Sequence, residues 1–416
     1  MRHQQIIETQ QKGEKEQPQG ILVPLDLPNF KILRQSQQGD GSLEVHVIAT
    51  KDQEICPACQ SISEKIHDTR RRVKRDIALR TYQVRLVLYT RRFRCTTCRR
   101  TFTEAENVCG KYKRTTKRFR LYLAQQASAR PITQVAEQEE VGPRFVQDCL
   151  IAQGEEKLAQ VGRTLDETAP LPTPRFLGID EFARRKGHCY DTILCDLVSR
   201  TVLEVSEGRK LEDVQKLLGR LSNPNTVEAV SMDMSASFRP AVQLALPQAA
   251  IVVDHFHVIQ HVMKAFRKIV SSWAHKKEGV ILLHRKQHLF LRAKEDLTEE
   301  QAQERVMIGA RLPELEEAWQ LKEALRFWYA HATVETAATE LDRWIQQVQE
   351  SGFASLQKAL SAFVKWRKEI LAFFQFRISN GFVEGKNNRT KALMRQGYGY
   401  RNRQHLRLRI LSGNAS

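Results

Sequence analysis

The chain has 416 residues, with 66 Lys and Arg against 48 Asp and Glu, a formal net charge of +18. At 41% hydrophobic and 27% charged residues, it carries enough apolar material for real cores, which excludes wholesale disorder. No stretch approaches the roughly 20 uninterrupted apolar residues of a membrane span, and the polar start from Met1 to Gly20 has no apolar signal region. A multidomain α/β protein of the cytoplasm, with its eight cysteines reduced, is therefore expected.

Residues 1–20 read as a flexible tail, within a leading segment, 1–44, that ends in a strand. Residues 45–110 form the first expected module. Cys56-Pro-Ala-Cys59 and Cys95-Thr-Thr-Cys98 are two CxxC pairs. Each can fold as a tight knuckle, and two knuckles supply the four thiolates of a closed structural Zn²⁺ site. Between them, Ala78 to Tyr89 alternates apolar and polar residues, so a hairpin is expected to bring the knuckles together. Cys109 and His67 are not needed to complete the site. From Lys65 to Arg120 there are 19 Lys or Arg against four acids (Asp68, Asp76, Glu104, Glu106), a local charge of +15. Such a block implies a polyanionic partner, because each neutralised phosphate releases counterions. Arg70, Arg71, Arg72, Arg91, Arg92 and Arg94 are the candidate DNA contacts on this zinc ribbon.

Residues 111–167 predict helices over Lys117–Gln126, Ile132–Glu139 and Arg144–Ala152. Phe119, Leu121, Leu123 and Ala124 would face one side of the first. Pro143 suits the first position of the third. This is a helix-turn-helix pattern, with Arg144 on the helix that would enter a major groove; a plain three-helix bundle fits the pattern as well. Thr168 to Pro174, with three prolines in seven residues, reads as a stiff boundary.

Residues 175–259 predict the order βββαβαβ. Arg175 to Phe182 is an apolar strand ending at Asp180; Thr192–Val198 and Thr201–Val205 form a meander; Val227–Met232 ends at Asp233; Ala249–Val253 ends at Asp254-His-Phe-His257. This is the order of an RNase H-like mixed sheet, in which the first and fourth strands are neighbours and Asp180 meets Asp233. Asp254 also ends a strand and is the alternative second acid; with His257 it could assist DNA or metal binding from the rim. Residues 260–375 are helical throughout and hold all five Trp residues, read as bundle core. In 376–416, Glu384, Asn388 and Lys391 share a helix face at i, i+4, i+7. A glutamate facing two strand-end aspartates can complete a two-metal site, with hard oxygen ligands that suit Mg²⁺ or Mn²⁺. Asn388, Lys391, Arg395, Arg401, Arg403, Arg407 and Arg409 are expected to contact DNA near the active site; Tyr398 and Tyr400 could stack on flipped or frayed bases there, although core packing is the commoner fate of such tyrosines.

Several segments together resemble one family: Cys56-Pro-Ala-Cys59, Arg91 to Glu104, Gly178-Ile-Asp180-Glu181, Val230 to Ser235, Val252 to His257, and Val383 to Asn388. They are similar to bacterial insertion-sequence transposases of the ISL-type family, in the DDE superfamily, over roughly residues 45–410. The resemblance implies that Asp180, Asp233 and Glu384 are catalytic and hold two Mg²⁺ (or Mn²⁺) per active site. It also implies that the helical stretch is an insertion in the RNase H-like core. The family would cut double-stranded DNA at element ends and join the freed 3′-OH to target DNA, acting as a homodimer at the nucleoid. An RNase H-like nuclease that cuts without joining, or a DNA-binding regulator without chemistry, are the alternatives.

Overall fold

The computed structural model describes residues 27–105, 108–109, 113–185, 187–397, 400 and 402–413; the expected tail, Tyr398 and Arg401 lie outside the described residues. Two compact units are present, residues 1–153 and 154–416.

In the first unit, strands β1 (Phe30–Gln37), β2 (Leu43–Ala49), β5 (Ile66–Leu79) and β6 (Tyr82–Arg94) form a sheet in the order β1-β2-β6-β5. Short β7 (Thr101–Thr103) adds to β6, and β3 (Glu54–Ile55) pairs with β4 (Ile62–Ser63). The expected hairpin exists, but its turn falls inside Ala78–Tyr89, at Arg80, whose φ is 55°. The alternating run is therefore the turn plus the first half of β6. Val84, Leu86 and Leu88 point to one face and are buried against Val45 and Val47 of β2. That period-two pattern fixes the register of β2 parallel to β6, Val45 opposite Leu86. The sheet thus draws two strands from before the CxxC pairs.

Helices α1 (Lys117–Ala129), α2 (Ile132–Gln138) and α3 (Pro143–Gln160) follow. Thr116 caps α1, its hydroxyl accepting from the Phe119 N–H. Phe119, Leu123, Val135, Ala136, Val146 and Cys149 share one core. Leu121 does not join them and is exposed: it lies two residues, about 200°, from both Phe119 and Leu123. Glu140 carries the turn between α2 and α3 with φ 50°, a left-handed conformation costing a non-glycine residue about 1 kcal/mol. The Arg75 guanidinium of β5 donates to the carbonyls of Glu139 and Glu140 and secures that turn.

The second unit is built on a sheet of order β10-β9-β8-β11-β12. Strands β8 (Phe176–Arg185), β9 (Cys189–Asp196) and β10 (Thr201–Glu207) are antiparallel; β11 (Ala229–Met232) and β12 (Ala250–Val253) run parallel to β8. Helices α4 (Leu211–Leu218) and α5 (Phe238–Ala245) make the crossovers. Asp180 does not end its strand: β8 runs on to Arg185 because Glu181 to Arg185 pair with Thr192 to Cys189. The proline-rich segment is tied to the α4–β11 connection. Leu171 is buried, its N–H bonded to the Arg220 carbonyl at 2.7 Å and its carbonyl accepting from Ser222 at 3.0 Å.

From α6 (His255–Ala274) the chain is helical: α7 (Lys277–Leu282), α8 (Gln287–Leu291), α9 (Glu299–Arg311), α10 (Pro313–His331), α11 (Ala337–Glu350), α12 (Ala354–Lys365) and α13 (Arg367–Phe376). Trp319, Trp328, Trp344 and Trp366 are buried, as expected of bundle core, and Trp273 is partly so. The indole N–H groups of Trp328 and Trp344 donate to the carbonyls of Ala337 and Leu321 at 3.0 and 2.8 Å, so these two rings bury no unpaired donor.

Helices α14 (Gly381–Gln396) and α15 (Arg403–Ser412) close the unit. Three arginines expected on DNA are otherwise engaged. Arg407 is 1% exposed, and its Nε and Nη2 each donate to Glu204 of β10 at 2.7 Å. Arg403 pairs with Glu167 and Glu207, and the largely buried Arg409 donates to the Tyr400 hydroxyl. A buried sheet carboxylate demands such partners, and α15 supplies them.

Candidate active site

The four cysteines of the CxxC pairs converge. Cys56 and Cys98 Sγ atoms lie 3.6 Å apart, as do those of Cys59 and Cys95, and all four fall within 4.8 Å of one another. A tetrahedral site with Zn–S near 2.3 Å has S···S edges of about 3.8 Å, so the set fits a structural Zn²⁺. Both knuckles use the same device. The residue after the second cysteine, Gln60 or Arg99, turns left-handed at φ 59° and 61°, which folds each loop back on its own strand. The Ser61 hydroxyl, with the Cys98 amide, draws the Cys95 thiol down to about 5, toward the thiolate that binds metal. Cys109 is buried in the sheet core and His67 is exposed; neither belongs to the cluster.

The acids of the second unit are set by strand register. β11 pairs with β8 so that Ser231 lies opposite Gly178; two residues on, Asp233 falls level with Asp180 and on the same face. β12 pairs with β11 so that Val253 lies opposite Met232; one residue on, Asp254 falls level with Asp233. Adjacent strands are about 4.8 Å apart, so the three carboxyl-bearing positions stand side by side. Burial, with the Asp233 charge beside it, pushes the Asp180 carboxyl up to about 7.

His257, in the first turn of α6, sits between two of these acids, its Nδ1 2.8 Å from Asp233 Oδ1 and 3.3 Å from Asp254 Oδ2. The Asp233 carboxylate, followed by that of Asp254, raises the imidazole to about 10. Asp254 is not at the rim: it is 1% exposed. Burial alone would push its carboxyl up, yet His255 and His257 hold it well below the usual carboxylate range. Asp233, Asp254 and His257 could together hold a metal ion.

Helix α14 lies over β8 and brings Glu384 with it. Gly178 permits the approach, since a Cβ there would sit 2.6 Å from Val383 Cγ2 and 2.7 Å from Leu197 Cδ2. Asn380, the helix N-cap, donates to the Ile179 carbonyl at 3.0 Å, and Asn387 donates to Asp180 Oδ2 at 2.7 Å. Glu384 falls between these anchors, four residues after one and three before the other, on the same arc of the helix. The amide beside the acids is therefore Asn387 and not Asn388, which is exposed like Lys391 and Arg395. The spacing Val383, Asn387, Thr390 marks the buried stripe. Two polar residues among its members were the sign that this face meets polar groups.

The basic candidates divide. Arg70, Arg71, Arg94 and Arg144 are exposed and Arg72 half-buried. Arg92 pairs with Asp68 at 2.9 Å. Arg91 is not available to DNA: it is 3% exposed, its Nε and Nη2 bonded to Glu104 at 3.0 and 2.9 Å and its Nη1 3.3 Å from Asp52. Phe93 and Phe102, stacked at 6.0 Å, close the same corner of the ribbon.

No helix among the described residues is long and apolar enough to cross a membrane. Comparisons with known proteins identify the family. Residues 52–98 match the family described as the zinc-finger of transposase IS204/IS1001/IS1096/IS1165. The transposase for insertion sequence element IS1001 of Bordetella parapertussis is 27% identical over 402 residues, covering 90% of this chain and 93% of that protein. The transposase for element IS1557 of Mycobacterium tuberculosis is 24% identical over 275 residues, 60% of this chain and 61% of that protein. Residues 177–410, more than half of the chain and all three expected acids, match the model of the ISL3-type DDE family, described as Transposase, and the chain belongs to that family.

Proposed function

We propose that this protein binds the terminal inverted repeats of an insertion sequence and catalyses Mg²⁺-dependent DNA cleavage and strand transfer from an RNase H-like core. Asp180, Asp233 and Glu384 are its catalytic acids. The observation that carries this is the alignment of Asp180 with Asp233 across β8 and β11, beneath the helix that bears Glu384. A pair of Mg²⁺ or Mn²⁺ ions held there would activate the attacking oxygen and stabilise the leaving oxygen of a phosphodiester. The donor chemistry fits: the ligands are hard carboxylates, and Asp180 is destabilised as an anion by burial and by Asp233, a cost that bound cations relieve. Asn387 and the Glu181 N–H each hold one oxygen of Asp180, at 2.7 and 2.8 Å, and so fix its rotamer.

Around this centre, the ribbon (45–110) and the helix-turn-helix (111–167) bind element ends. Arg70, Arg71, Arg72 and Arg94 contact phosphates, and α3, led by Arg144, supplies sequence choice. Residues 260–375 are the insertion, and the two halves 175–259 and 376–416 complete the core. Because both ends are handled together, the working form is a homodimer at the nucleoid. In a strand-transfer assay with Mg²⁺ and oligonucleotides from the flanking inverted repeats, Asp180→Asn, Asp233→Asn and Glu384→Gln each abolish cleavage and joining and leave end binding intact. Loss with Asp254→Asn but not with Asp233→Asn would move the second acid to β12. Cleavage without joining by the unaltered chain would make it an end-specific nuclease, and binding alone a regulator.

A further inference from the structure

Helix α6 leaves the acid cluster at its first turn and runs for 20 residues without one Asp or Glu. Its buried side is apolar: Val258, Val262, Ala265, Phe266, Ile269 and Val270. Its exposed side carries Phe256, Lys264, Arg267 and Lys268, with Gln260 half-buried among them. At about 100° per residue these five fall within about 120° of the circumference, and His257, which touches Asp233, lies on the same arc. Lys264, Arg267 and Lys268 have no ion-pair partner among the described residues. Elsewhere in the unit several helix cations are paired with acids, as Arg305 is with Glu316 and Arg367 with Asp342. Phe256 is 44% exposed, its ring edge-on to His257 at 6.3 Å, so a large apolar face stands open beside the acids.

From this we infer that the outer face of α6 is the track for an unpaired DNA strand leaving the scissile phosphodiester. Phe256 stacks on its first unstacked base, and Lys264, Arg267 and Lys268 contact its phosphates. The inference rests on reading the acid cluster as the cleavage site and deepens it by naming the strand's path. Charge selects a polyanion, since an acid-free row of unpaired cations is favourable only toward one. The aromatic selects a single strand, because a duplex offers no free base face beside its cut phosphate, whereas every unpaired base does. Length agrees: Phe256 to Lys268 spans about 18 Å of helix, enough to follow a few nucleotides. Continuity with His257 places the start of the row at the acids.

The test uses the full chain without added divalent metal, so that binding is read apart from chemistry. The probes are a labelled blunt duplex and the same duplex with an unpaired 3′ extension. Lys264→Ala, Arg267→Ala and Lys268→Ala are combined in one variant, and Phe256→Ala is compared with Phe256→Trp. The triple variant should lower the slope of log affinity against log salt by about two for the extended duplex and leave the blunt one unchanged. Phe256→Ala should weaken binding of the extended duplex by about tenfold, and Phe256→Trp should restore it. Equal losses on both duplexes would make this an ordinary duplex surface and overturn the track. So would unchanged binding of both, or a shift of the triple variant in sedimentation, which would mean that a second copy covers the face. Mg²⁺-dependent plasmid nicking is scored in parallel. Asp180→Asn nicking like the unaltered chain removes the underlying reading of the acids, whereas normal nicking dependence on Asp180 with unchanged extension binding removes the track alone.

Discussion

Gly178→Ala tests how the helix carrying Glu384 is held on the sheet. The added methyl would lie 2.6 Å from Val383 Cγ2, 2.7 Å from Leu197 Cδ2 and 3.0 Å from Asn380 Oδ1, each well inside ordinary carbon contact of about 3.5–4.0 Å. Leu197 has rotamers to spare. Val383 has none, because a β-branched side chain in a helix keeps one χ1 well. The clash is therefore relieved by lifting α14 roughly 1 Å off β8, at a cost of about 1–3 kcal/mol of stability. The same displacement moves Glu384 and the Asn387 donor away from Asp180, and 1 Å at a reacting centre costs about a hundredfold in rate. The assay pairs a thermal melt with Mg²⁺-dependent cleavage of an end oligonucleotide. Gly178→Ala should melt a few degrees lower and cleave about a hundredfold more slowly, and adding Val383→Ala should return much of the rate by making room. Unaltered cleavage by Gly178→Ala, or no recovery in the double variant, would refute the idea that contact at Gly178 sets the height of the glutamate.

Other perturbations separate structural from chemical roles. Arg407→Met strands the buried Glu204 with Arg220 alone at 2.8 Å and should cost about 3–5 kcal/mol, read as a lower Tm, while the salt dependence of DNA binding stays as it was. Burial would push Glu204 up, but Arg407 holds it below the usual carboxylate range. Its stabilising effect is thus complete above the unfolded pKa of about 4.3 and fades as pH falls below that value, so the gap in Tm between Arg407→Met and the unaltered chain should narrow in acid melts. Cys98→Ser should release bound zinc, measured by metal analysis, and make residues 52–98 more sensitive to proteolysis. Asn387→Ala removes the amide from Asp180 and should slow cleavage about tenfold with end binding unchanged; an unchanged rate would make Asn387 a packing residue only.

The chemistry-bearing residue types were legible along the chain because they recur at spacings that local geometry imposes. A CxxC pair folds as a knuckle here at both of its occurrences, and an apolar run that stops at an acid marked the strand ends before Asp233 and Asp254, though not at Asp180, where β8 runs on to Arg185. In the second unit strand order followed from chain order, because short tight connections make antiparallel neighbours and helical crossovers make parallel ones; in the first, the parallel pairing of β2 with β6 has no helical crossover and was not legible. The 3.6-residue period located most helices, and it also explains the misplacement of Leu121, which was grouped by composition with Phe119 and Leu123 although its angle points it to solvent.

What tertiary structure decided was which charges are spent inside. Arg91, Arg403, Arg407 and Arg409 look in sequence like Arg70, Arg94 or Lys268, yet each of the first four is matched to an acid or hydroxyl on another element or loop, for Arg403 and Arg407 more than 200 residues away. A guanidinium reads the same whether its partner is phosphate or Glu204, so only the fold separates them. The same holds for Asn387 and Asp254. Local pattern put a carboxylate or an amide on an element, but register across β8, β11 and β12 and the approach of α14 over Gly178 determined which of them stand together. Short-range periodicity depends on a few neighbouring residues and is written in the chain; the pairing of buried charges depends on desolvation, which exists only once distant segments have packed.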